Sequence, residues 1–216
     1  MTKDSQRWMK LDNAAKIYPA SMSRKWAAMF RLSAMLNEDV DPEVLRLAQK
    51  STLARFPSFA MRLKRGAFWF YMEHIDGEPD IQHDVANPCA RMNFKENKGF
   101  GLRVRYYNNR IAVEFFHGLT DGTGGLCFLL TLVAEYLRIA HGAEIPRNNQ
   151  ILDCTESAPP EELEDGFISH AGEFSRSRRE EDAYKVSGTP ETNGYINITT
   201  GILPMDKVSA VAHEKG

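Results

Sequence analysis

His117 and Asp121 stand four positions apart in the run His-Gly-Leu-Thr-Asp-Gly-Thr-Gly-Gly, from His117 to Gly125. An ordinary imidazole titrates near pH 6.5, so much of it is neutral near pH 7 and able to take a proton from a hydroxyl or thiol. Glycines at 118, 122, 124 and 125 let the backbone turn sharply and approach a ligand. Asp121 can bond an imidazole nitrogen, pair with an arginine or cap the helix that follows; spacing leaves all three open. The structural alternative for His117 is a hydrogen-bonded turn histidine.

The elements that must hold this loop are legible on both sides of it. Gly101 to Tyr107 alternates Leu102, Val104 and Tyr106 with Arg103, Arg105 and Tyr107. After Asn108-Asn109, Arg110 to Phe116 alternates Ile111, Val113 and Phe115 with Ala112, Glu114 and Phe116. A period of two on each side of a short polar turn predicts a hairpin. Its second strand runs directly into His117, and Leu126 to Ile139 reads as a nearly all-apolar helix that stops near Gly142. The order is therefore strand, glycine-rich loop, buried helix.

Upstream, Met29 to Leu36 reads as a strand, and Asp41-Pro42-Glu43 supplies an N-cap, a first-turn proline and an early carboxylate for a helix. Val44, Leu45, Ala48, Thr52 and Phe56 share one arc of that helix, which Pro57 ends. Phe59 to Leu63 and Ala67 to His74 read as two strands around Arg65-Gly66, and the aromatics Phe68, Trp69, Phe70 and Tyr71 read as core. From Glu144 to Gly194, prolines and dense mixed charge predict a surface crossover with one short helix near His170 to Tyr184. Tyr195 to Leu203 then reads as a strand and Met205 to Glu214 as a helix, after which the chain stops abruptly. The expected division is a lobe over 1–194, including the charged crossover at 144–194, and the start of a truncated second lobe over 195–216.

Composition bounds what the chain can be. Apolar residues make up 43% of it, enough for a substantial core, and 27 basic residues against 29 acidic ones leave no field to draw it toward nucleic acid. No apolar run of the length a membrane span needs is expected, and Met1 to Asp12 is too polar for a secretory signal, so the expected location is cytoplasmic. Cys89, Cys127 and Cys154 are widely spaced and odd in number, as reduced thiols would be.

The run Phe115-Phe-His-Gly-Leu-Thr-Asp-Gly-Thr-Gly-Gly125 resembles the HxxxDG signature of the chloramphenicol acetyltransferase-like, CoA-dependent acyltransferase superfamily. Met29 to Leu36, the Val40-Asp-Pro helix, Arg55-Phe-Pro-Ser-Phe59 and Asn109 to Phe116 are similar in order and spacing to its alcohol acetyltransferase-like branch. The similarity spans most of Leu11 to Leu203. It implies an α/β fold, a two-layer sandwich of a mixed β-sheet covered by helices, in which His117 is the general base that deprotonates an acceptor hydroxyl. That hydroxyl then attacks an acyl-CoA co-substrate, with no metal and no bound cofactor. It implies further that Asp121 orients the loop through an arginine, for which Arg24 and Arg31 are candidates, and that Gly122 keeps the channel floor open. The family fold has two similar halves with the active-site tunnel between them; this chain matches the amino-terminal half and lacks the motifs of the other. The fragment is therefore expected to turn over negligibly by itself, and its exposed lobe interface to favour homo-oligomers. Condensation domains of the superfamily often carry paired histidines, whereas Phe116-His117 stands here, which suits O-acyl transfer to a small-molecule alcohol.

Rival readings carry less. A phosphate cradle at Gly118, Gly122, Gly124 and Gly125 lacks both a following Gly-Lys-Ser/Thr and the GxGxxG spacing. A metal site from His83, Cys89, His117 and Asp121 lacks compact spacing. Cys127, in an apolar helix, reads as inert packing rather than a nucleophile. The remaining alternatives are a noncatalytic interaction protein that keeps the fold and a condensation-type domain that uses carrier-protein donors.

Overall fold

The computed structural model describes residues 8–12, 15–23, 26–163, 187–189, 192, 195, 198 and 200–215. Two sheets share the work. A three-stranded antiparallel sheet has the order β1-β4-β3, with β1 at Trp8–Lys10, β3 at Met61–Arg65 and β4 at Phe70–His74. A four-stranded mixed sheet has the order β2-β7-β6-β5, with β2 at Met29–Met35, β5 at Gln82–His83, β6 at Leu102–Tyr107 and β7 at Arg110–Phe116. Helix α1 (Ile17–Ser21) leads into β2, α2 (Pro42–Arg55) follows it, and α3 (Gly122–His141) follows β7.

The helices form where their ends are satisfied. Asp41 accepts hydrogen bonds from the amides of Glu43 and Val44 at the start of α2, and Pro42 occupies the first turn. Gly142, at φ 65°, closes α3 in a left-handed conformation that glycine adopts without steric cost. Leu45, Ala48 and Thr52 of α2 are buried, as are Phe128, Leu129 and Leu132 of α3. With Ile111, Val113 and Phe115 of β7 they form the main core between helices and mixed sheet. A smaller core of Leu11, Ala15, Met61 and Met72 underlies the three-stranded sheet, and Leu119 packs against both.

Four expectations are corrected. The strands expected from Phe59 and Ala67 begin later, at Met61 and Phe70, because Pro57–Phe59 forms a 3-10 turn and residues 66–69 form the hairpin tip. Phe68 and Trp69 are therefore not core: they are 90% and 63% exposed at that tip, while Phe70 and Tyr71 are half-buried. Tyr195, Ile198 and 200–203 lie outside any strand, although a helix, α4 (Met205–Lys215), follows as expected. Finally, the 20 residues of α3 are long and apolar enough to cross a membrane by length and composition; here eight of them are buried within the protein. The short helix expected near His170 to Tyr184 falls outside the described residues.

Candidate active site

β7 lies between β2 and β6, paired with β2 from Arg110 to Phe116, and this fixes where the next residue emerges. That residue is His117, whose amide donates to the carbonyl of Ala28 at 2.8 Å. Ala28 is buried and has φ 52°, a left-handed conformation costly for an L-residue. The strand end and the residue entering β2 are thereby stapled together at the site.

The imidazole is half-buried between aromatic rings. Tyr18 of α1 stacks on it with centroids 4.3 Å apart and planes 8° from parallel, and Phe30 of β2 leans against it at 4.8 Å and 54°. Nδ1 is buried without a hydrogen-bond partner among the described residues. Beside the ring lies a cavity of about 330 Å³, lined by Asp12, Ala15, Tyr18 and the loop from His117 to Asp121. The ring is thus neither sealed in packing nor engaged through both nitrogens.

Asp121 caps α3: its Oδ1 accepts from the Gly124 amide at 2.8 Å, and the helix starts at Gly122. Arg31, one of the two arginines considered for Asp121, is occupied elsewhere. Its guanidinium pairs with Asp84, with one bond at 2.8 Å, and with Glu114 at 3.3 Å. Arg24 lies outside the described residues.

The four motif glycines differ in what they do. A Cβ on Gly118 would sit 2.5 Å from the buried ring of Phe116, one on Gly124 would sit 2.3 Å from Thr120 Oγ1, and one on Gly125 would meet the rings of Phe30 and Phe115 at 3.0 to 3.2 Å. Gly122 alone among them faces open space, with nothing within 4 Å. Three of these glycines serve packing; the fourth leaves room.

Behind the loop, on the sheet face away from α3, Glu114 is fully buried. It bonds the guanidinium of Arg103, Arg105 Nε at 3.2 Å, and the amide of Cys89 at 2.8 Å. Burial alone would raise the Glu114 carboxyl; the Cys89 amide and the charge of Arg103 outweigh it and hold the group below its usual value. Asp84 is raised by burial too, but its Arg31 hydrogen bond and the Val85 amide bring it down to about 2. Cys127 is no nucleophile by these criteria: burial raises its thiol, and Sγ lies 3.8 Å from the Asn149 carbonyl.

The structure thus brings His117, Asp121 and Gly122 to one loop, as the sequence orders them. It adds Asp12, Ala15, Tyr18, Ala28 and Phe30, which sequence reasoning missed. Asp12 carried a local signal: its side chain accepts the Ala15 amide at 2.6 Å, the bond an aspartate makes at a turn. Tyr18 and His117 meet although they stand 99 positions apart in the chain, and no local pattern announces that.

No family model matches the chain, and no curated protein matches it. Solved structures do. The SgcC5 protein from Streptomyces globisporus matches with a TM-score of 0.51 and 13% identity, over 66% of this chain and 39% of its own. The starter condensation domain of rhizomide synthetase RzmA matches with a TM-score of 0.51 and 11% identity, over 66% of this chain and 42% of its own. A variant of that domain in complex with C8-CoA matches at 0.50 and 10%, over 64% and 37%. At such identities the likeness is one of fold, and it agrees with the superfamily resemblance read from the sequence. The chain spans about two fifths of the length of these structures.

Proposed function

We propose that this chain is the base-bearing lobe of an acyltransferase. His117, through Nε2, takes the proton from an acceptor hydroxyl while the hydroxyl oxygen attacks the carbonyl of an acyl-CoA thioester. The carbon–sulfur bond then breaks, and the CoA thiolate recovers the proton from the imidazolium, so that ester and free thiol are the products. What supports this above all is the placement of His117: a half-buried imidazole at a strand end, beside a cavity, on a loop whose glycines allow close approach.

The solved neighbours support the acyl-transfer class through their fold, and one of them holds C8-CoA. The lobe lines one side of the His117 cavity; the opposite wall of the reaction chamber is assigned to a further lobe or subunit. Asp121 contributes by capping α3, which fixes the loop, and Gly122 contributes the open space beside it. A condensation-type reaction, in which an amine attacks a carrier-bound thioester, is the second reading, because condensation domains share the fold.

The test is thiol release from acetyl-CoA and octanoyl-CoA with panels of alcohols and amines, on the protein as its own cell makes it. His117→Ala is expected to lower turnover by about 100- to 10,000-fold. Equal rates in the two proteins would remove the assignment. Amines consumed in preference to alcohols would move it to the second reading.

A further inference from the structure

We propose that Tyr18 is a positioning residue of this site: its stacked ring sets the plane of the His117 imidazole in place of a hydrogen bond to Nδ1. This rests on the reading of His117 as the proton-accepting group. A histidine acting through Nε2 ordinarily has its other nitrogen tied to a carbonyl or carboxylate, which fixes both ring and tautomer. Here Nδ1 is buried and has no such partner among the described residues. The main-chain bond from His117 to Ala28 holds the backbone but leaves rotation about the side-chain bonds free.

Two aromatic faces supply the missing restraint. Tyr18 lies flat on the imidazole, 4.3 Å away and 8° from parallel, and the ring of Phe30 leans against it at 4.8 Å and 54°. Further rings back these two, with Trp26 6.2 Å from Tyr18 and Phe115 5.2 Å from Phe30. The imidazole cannot swing without breaking its stack on Tyr18. The face of a phenol ring is also its electronegative side, so it attracts the positive charge that the imidazole gains on taking a proton.

No residue of the short helix that carries Tyr18 belongs to either apolar core. α1 is five residues long, buries none of them, and has no side-chain cap. The turn before it is set by Asp12, whose carbonyl accepts the Lys16 amide at 3.2 Å while its side chain accepts the Ala15 amide. Asp12, Ala15 and Tyr18 all line the His117 cavity. The segment is therefore a wall of the site, and Tyr18 is the ring it presents there.

The decisive measurement is the proton NMR of the His117 ring in the 216-residue chain, with Tyr18→Phe and Tyr18→Leu variants whose folding is checked by circular dichroism. In the parent protein and in Tyr18→Phe, the His117 ring protons are expected upfield of those of the other histidines, through the ring current of the stacked neighbour. Tyr18→Leu is expected to lose that displacement. In the turnover assay above, Tyr18→Leu lowers kcat by about 3- to 30-fold with an unchanged KM for the acceptor, and Tyr18→Phe restores it. Unmoved His117 signals in the leucine variant, or a phenylalanine variant as impaired as the leucine one, would overturn the assignment. Undiminished turnover in His117→Ala would instead overturn the proton-accepting role, and the NMR result would still decide whether Tyr18 stacks on the ring.

Discussion

The two faces of β7 are both buried, and they are buried by opposite means. Toward the helices, Ile111, Val113 and Phe115 lie in an apolar core. Toward the other side, Ala112, Glu114 and Phe116 are covered as completely, yet Glu114 is an ion among the guanidiniums of Arg31, Arg103 and Arg105. The apolar face is non-directional and tolerates small losses in proportion to area. The ionic face is all-or-none, because removing one partner leaves the others charged and dry. One strand end thus has two supports with different modes of failure, and His117 sits where they meet.

Glu114→Gln should break this contrast most sharply. It leaves three arginines without their shared carboxylate and is expected to cost about 3–5 kcal/mol, read from urea unfolding. A loss no greater than that of a trimmed apolar side chain would show that the ionic face gives no special support. Next comes acid. Asp84 is held at about 2 in the folded chain, against about 3.9 for an unfolded aspartate. Its contribution is complete above about pH 4 and is lost as pH falls toward 2, worth about 2 kcal/mol in total. Stability measured across that window should slope in the parent protein and flatten in Asp84→Asn.

Gly118→Ala comes third. The new methyl group would press into the Phe116 ring, on the ionic side of the strand, at an expected cost of about 1–3 kcal/mol. The same substitution at Gly122 meets nothing and should leave the thermal midpoint where it was. Ile111→Val, on the apolar side, is expected to cost only about 1 kcal/mol; urea unfolding that showed it equal to Glu114→Gln would erase the distinction between the faces.

How much of this the sequence announces follows the same divide. The apolar face was readable as alternation in Ile111, Val113 and Phe115, and α2 was readable from Asp41 and Pro42, since each signal lies within a few residues of its effect. The ionic face was not. Glu114, Arg103 and Arg105 alternate with apolar neighbours as solvent-facing residues do, and their burial depends on Asp84, Cys89 and the chain between them folding over the sheet. Phe68 and Trp69 failed in the opposite sense: their aromatic character suggests core, but a hairpin tip places them beyond it. At the site, His117, Asp121 and Gly122 were legible as one contiguous string. Tyr18 and Ala28 act through contacts that close only when distant segments meet.

The position of β7 in its sheet has a consequence for how the molecule breathes. Its backbone is bonded on one side to β2 and on the other to β6 for most of its length, so its amides can reach solvent only when the sheet itself opens. Deuterium should enter these positions last, at a rate that reports global unfolding rather than fraying. The His117 ring is thereby anchored to the part of the chain expected to let go last, while Tyr18, on a helix that buries nothing, belongs to a part expected to loosen earlier.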